Sequence, residues 1–141
     1  MIARSDLKAL LPEDKCDIDR AEAIVKLGYP DIEPVLPELL EWMQDLNWPV
    51  AHVLLPFLAK IDSPLIPHIR YILGTEDGEW KYSVLYHIVA RSVQLKEAFR
   101  HDLDRLAQNP TPAEQTANLH LLARDILAGH GPRFPLEDDP M

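Results

Sequence analysis

The chain reads as a succession of short segments with apolar positions at helical spacing, separated by proline, glycine and acidic punctuation. In 34–46 the apolar positions Val35, Leu36, Leu39, Leu40, Trp42, Met43 and Leu46 fall on one arc at 100° per residue. Glu38, Glu41 and Asp45 fall together on the opposite side, which predicts an amphipathic helix with an acidic outer face. The next segment is different. From Trp48 to Ala59 there is no charged side chain, so a helix over 48–61 is expected to lie buried between neighbours, kinked by Pro56 in its interior. Asn47 is placed to cap it.

The same pattern predicts further helices over 5–11, 17–27, 63–74, 80–91, 95–108 and 111–127. Asp19 with Glu22 resembles a capping box at the start of the second, and Gly28 followed by Pro30 stops it. Ser63-Pro64 opens another, and Thr75 to Gly78 reads as a polar loop. Thr111-Pro112-Ala113-Glu114 is a capping box with proline at the first helical position. The helix it opens carries Leu119, Leu122, Ala123, Ile126 and Leu127 on one face, which suits the end of a stack. Strand-like alternation over four or more residues is absent. The expected domain spans 1–128, with 129–141 a loosely ordered, proline- and acid-rich tail.

These helix starts repeat. Pro34 and Pro37 recur as Pro64 and Pro67 thirty residues later, and Trp48 recurs as Trp80 after thirty-two. A period near thirty with helical content predicts stacked helix pairs, in which the tryptophans open the more buried helix of each pair and pack between repeats.

Charge sharpens the picture. The net charge is −9, which argues against nucleic acid and anionic membranes as partners because both demand clustered Lys and Arg. Between Lys26 and Lys60 there is no lysine or arginine, yet Asp31, Glu33, Glu38, Glu41 and Asp45 fall in that gap. Ordinary solvated faces mix signs. No apolar run approaches the ~20 residues of a membrane span, and the first residues lack the apolar stretch of a secretory signal. The single cysteine, Cys16, excludes an internal disulfide and points to a reducing compartment, the cytoplasm.

Ala21-Glu22, Leu27-Gly28-Tyr29-Pro30, Pro34-Val35-Leu36-Pro37-Glu38-Leu39-Leu40 and Leu46-Asn47-Trp48-Pro49-Val50-Ala51 together resemble the bacterial family DUF5071, and Trp80-Lys81-Tyr82 also fits its pattern. The resemblance runs from about Leu10 to Leu127. With the period, it implies an all-α fold: a short α-solenoid of HEAT-like antiparallel helix pairs, about seven helices. The family carries no settled activity, so no functional residue is transferred.

Chemistry-bearing motifs are few. The histidines (His52, His68, His87, His101, His120, His130) form no H-E-x-x-H, and one cysteine excludes zinc-finger spacing, so neither metal nor cofactor is called for. Asp17, Asp19 and Glu22 lack the EF-hand glycine and distal glutamate; helix-start acids explain them better. Ser83 and Ser92 lack a G-x-S-x-G turn, and there is no glycine-rich phosphate loop. HEAT-like DNA glycosylases need a basic concave face, which the acidic second helix opposes.

The expected function is therefore a non-catalytic protein-interaction module that binds a basic protein through Glu38, Glu41 and Asp45. An immunity-type protein neutralising a basic toxin is its more specific form. The alternative from another class is an enzyme or small-ligand binder with a pocket of Trp80, Tyr82, Tyr86 and His87.

Overall fold

A computed structural model describes residues 4–129 of the chain. The tail expected over 129–141 therefore falls, apart from Gly129, outside the described residues. Among the described residues there are ten α-helices and no strand. They are α1 (Arg4–Lys8), α2 (Ile18–Leu27), α3 (Leu36–Glu41), α4 (Pro49–Ala59), α5 (Ile66–Leu73), α6 (Gly78–His87), α7 (Val93–Ala98), α8 (Arg100–Gln108), α9 (Pro112–Thr116) and α10 (Leu119–Leu127).

The proline repeat has a local structural meaning. Glu33-Pro34-Val35 and Ser63-Pro64-Leu65 each form a three-residue 3₁₀ turn that feeds directly into an α-helix. Those helices, α3 and α5, then carry Pro37 and Pro67 at their second positions. Proline is cheap at both places, because first-turn amides have no intrahelical acceptor. The tryptophans do not repeat in this way. Trp48 precedes α4 as its cap residue, whereas Trp80 is the third residue of α6.

The expectation of about seven helices gives way to ten: the pattern marks eight segments, and two of those are broken. The span 95–108 divides at Phe99, which is fully buried and leaves helical geometry at φ −106°, ψ 14°. Arg70, on α5, lies over its ring at 4.9 Å and pairs with Asp102 of α8 at 3.3 Å, pinning this joint from outside. The span 111–127 divides at Asn118, held at φ 62°. Asparagine tolerates the left-handed region better than most residues.

Caps also differ in detail. Asp17, not Asp19, caps α2, accepting from the Arg20 amide. The expected Asn47 cap of α4 does not form: Trp48 holds the cap position without a side-chain cap bond, and Asp45 accepts from the Asn47 amide at 2.9 Å in the turn before it. The capping box of Thr111 and Glu114 forms as expected at α9.

α4 supplies much of the interior through Val50, Ala51, Leu54, Leu55, Leu58 and Ala59, and it runs as one helix through Pro56. α2 packs on α4, α3 on α5, α5 on α6, and α10 on both α6 and α8. The 3₁₀ turn Trp42–Gln44 packs on α6, which places the end of α3 beside the start of α6. Among the described residues no single helix is long and apolar enough to cross a membrane.

Candidate functional site

Trp80 fixes the seam between α3 and α6. It is 8% exposed, and its indole N–H donates to the Leu40 carbonyl at 2.9 Å. Asp77 sets the start of α6 by accepting the Trp80 amide at 3.0 Å. A cleft opens on either side of this seam.

The first cleft, about 390 Å³, is walled by Pro37, Leu40 and Glu41 of α3, His68, Tyr71 and Ile72 of α5, and Trp80. Tyr71 is 71% exposed at its edge. Burial lowers the His68 pKa against the opposing pull of the Glu33 carboxylate, so the imidazole is neutral at pH 7. Glu41 is the only Asp, Glu, Lys or Arg in the lining of this cleft.

The second cleft, about 400 Å³, runs along the other side of α6, from Gly78 and Glu79 at its start to His87 at its end. Gln44, Asp45 and Asn47 form one wall, Glu79, Tyr82, Ser83 and His87 the next, and Ala117 and Asn118 the third. Ser83 is buried, and its hydroxyl finds no hydrogen-bond partner among the described residues. Burial, reinforced by the Arg91 charge, lowers the His87 pKa to about 4. Gly78 approaches Ala117 so closely that a Cβ built on it would stand 2.7 Å from the Ala117 Cβ. Neither cleft has a lysine or arginine in its lining.

The two sets of residues singled out from sequence are redistributed. Glu38 turns away toward α1, 3.8 Å from Lys8 Nζ, with its side chain mostly covered. Glu41 is exposed and enters the first cleft beside Trp80; Asp45 enters the second beside Tyr82 and His87. The three acids are therefore not one open face.

The aromatic set divides as well. Trp80 and His87 are two helical turns apart, about 10 Å along α6, and line different clefts. Tyr86 lines neither; its ring centroid is 5.9 Å from Tyr82 and 4.7 Å from His87. Trp48 is half-buried, edge-on to Trp42 at 5.5 Å, and so is not the packing equivalent of Trp80.

Sequence reasoning missed His68, Tyr71 and Ser83 as lining residues. His68 and Tyr71 stand three apart on α5, a spacing that places them on one face and would have linked them. Ser83 carried no such signal. Among the described residues no group of three or more His, Cys, Asp or Glu converges on a point where an ion would sit. Asp17 is occupied with the Glu13 and Arg20 amides, and Cys16 is exposed and unpaired.

Among the described residues the arrangement that emerges is all-helical, and the two clefts that flank the α3–α6 seam are walled jointly by acids and aromatics. Residues 10–127 match the family described as Domain of unknown function (DUF5071), and the chain belongs to that family. No curated protein matches the chain.

Proposed function

We propose that this chain is a non-catalytic protein-interaction module that binds a basic segment of another protein along the α3–α6 seam. The observation that carries this reading is the entry of Glu41 and Asp45 into two neighbouring clefts that lack any lysine or arginine. Such a surface steers a cationic partner toward it and speeds association, and the apolar walls then retain what arrives. Glu38 drops out of the contact set because Lys8 already answers it.

The scaffold is a short HEAT-like α-solenoid in this reading. It is supported by the like-on-like packing of α2 with α4 and α3 with α5, and by the repeated turn-and-helix unit at Pro34 and Pro64. The setting is the bacterial cytosol, consistent with a lone exposed cysteine, and the specific form is an immunity-type protein that occludes a basic toxin.

The test is affinity capture from the source bacterium across a salt series. The Glu41→Lys/Asp45→Lys variant loses salt-sensitive capture, while Glu38→Gln retains it. Undiminished capture by the double variant overturns the proposal.

A second reading, a small-ligand binder or enzyme at the other cleft, is favoured by the buried Ser83 hydroxyl beside a neutral His87. A metabolite that raises the melting temperature of the parent but not of a Tyr82→Ala variant supports it.

A further inference from the structure

We infer that the first cleft receives an arginine side chain of the basic partner, held between the Tyr71 and Trp80 rings with its guanidinium against Glu41. The inference rests on the interaction-module reading and names the group that the seam recognises.

The walls match the two halves of such a side chain. Pro37 and the exposed Tyr71 ring, over a floor of buried Leu40 and Ile72, offer apolar surface to the methylene stem, which long cationic side chains bury while their heads stay polar. The head would meet one carboxylate and two aromatic rings. A guanidinium stacks on aromatic faces and is more weakly hydrated than an ammonium, which favours arginine over lysine at this site.

Two features preorganise the cleft. The Trp80 N–H is committed to the Leu40 carbonyl, so the indole is fixed as a wall and does not turn to donate to an occupant. His68 stays neutral and sets no competing cation beside Glu41. On the α3 side the surrounding charge agrees, since no lysine or arginine occurs between Lys26 and Lys60 and Glu33 lies near His68; on α5, Arg70 is engaged with Asp102. A volume of about 390 Å³ exceeds one side chain, leaving room for an apolar neighbour on the same segment.

The experiment titrates three tripeptide amides, acetyl-Ala-Arg-Leu, acetyl-Ala-citrulline-Leu and acetyl-Ala-Lys-Leu, into isotope-labelled full-length protein. Nuclear magnetic resonance follows the Trp80 indole N–H and the amides of Tyr71 and Ile72. The arginine peptide shifts these signals saturably. Citrulline, its neutral near-isostere, binds about tenfold more weakly, and lysine falls between them. Tyr71→Ala and Glu41→Gln each weaken the arginine peptide severalfold; both residues are exposed, so the fold is retained. Equal binding of citrulline, lysine at least as tight as arginine, or shifts that do not centre on these residues overturn the inference. If Tyr71→Ala keeps the salt-sensitive capture that Glu41→Lys/Asp45→Lys loses, the arginine anchor fails while the interaction module stands.

Discussion

The indole nitrogen of Trp80 reaches 2.9 Å to the carbonyl oxygen of Leu40, forty residues earlier, and joins α6 to α3 at the wall of the first cleft. Trp80→Ala is expected to cost about 3–5 kcal/mol, the range for emptying a large buried aromatic site. Trp80→Phe keeps most of the packing and loses the donor, for about 1–2 kcal/mol. Trp48→Ala should cost less than Trp80→Ala, since Trp48 is half-buried and leans on Trp42. Thermal melts of the three variants check the order.

Arg105 grips Glu114 with two hydrogen bonds, at 2.7 and 3.1 Å, and Glu114 is 8% exposed. The Arg105 guanidinium, aided by the Thr111 amide, holds the Glu114 carboxyl below the usual carboxylate range. A carboxyl whose folded pKa is depressed stabilises the protein fully above its unfolded value, about 4.3, and that stability is lost as pH falls through the folded pKa. Glu114→Gln should therefore cost about 1–3 kcal/mol at pH 7. Denaturant melts from pH 7 to 2.5 should show that difference shrinking only below about pH 4.3.

His87 titrates in the opposite sense to a salt-bridged histidine. Its folded pKa of about 4 lies below the unfolded 6.5, so the unfolded chain takes up a proton first as pH falls. Stability contributed by the neutral ring is complete above pH 6.5 and declines from there down to about 4. The ring-proton shift of His87 should have its midpoint near pH 4, and His87→Asn should flatten the loss of melting temperature across that window. A midpoint near 6.5 contradicts the buried, neutral ring.

Gly78 and Ala117 bring the start of α6 against the α9–α10 joint at van der Waals limit. Gly78→Ala should destabilise by about 1–3 kcal/mol through overpacking, despite alanine's better helix propensity. In an Ala117→Gly background the same substitution should become neutral or stabilising. A double-mutant cycle by chemical denaturation measures that sign change.

How far the sequence was legible depends on where the controlling interaction lies. Three helix starts set by adjacent residues were readable, the Thr111–Glu114 box and the Pro34 and Pro64 turns, whereas the caps expected at Asp19 and Asn47 were displaced to Asp17 and Trp48. The breaks at Phe99 and Asn118 were not. Arg70 reaches Phe99 from another helix, and Asn118 adopts its left-handed state inside an otherwise continuous apolar stripe. The acidity between Lys26 and Lys60 was legible as a sum, but its partition was not. Whether Glu38 faces solvent or Lys8 depends on where α1 docks, and periodicity within 34–46 says nothing of that. His68 and Tyr71 likewise join Glu41 only once α5 lies beside α3.

Trp80 also gives the protein an optical signal of its own. Its indole is the one tryptophan ring lining the first cleft, while Trp42 and Trp48 are stacked edge-to-face elsewhere. Emission from a buried indole is blue-shifted relative to half-exposed ones, so the three fluorophores separate into a cleft component and a surface pair. A Trp42→Phe/Trp48→Phe protein would report cleft occupancy by fluorescence alone, without any attached dye.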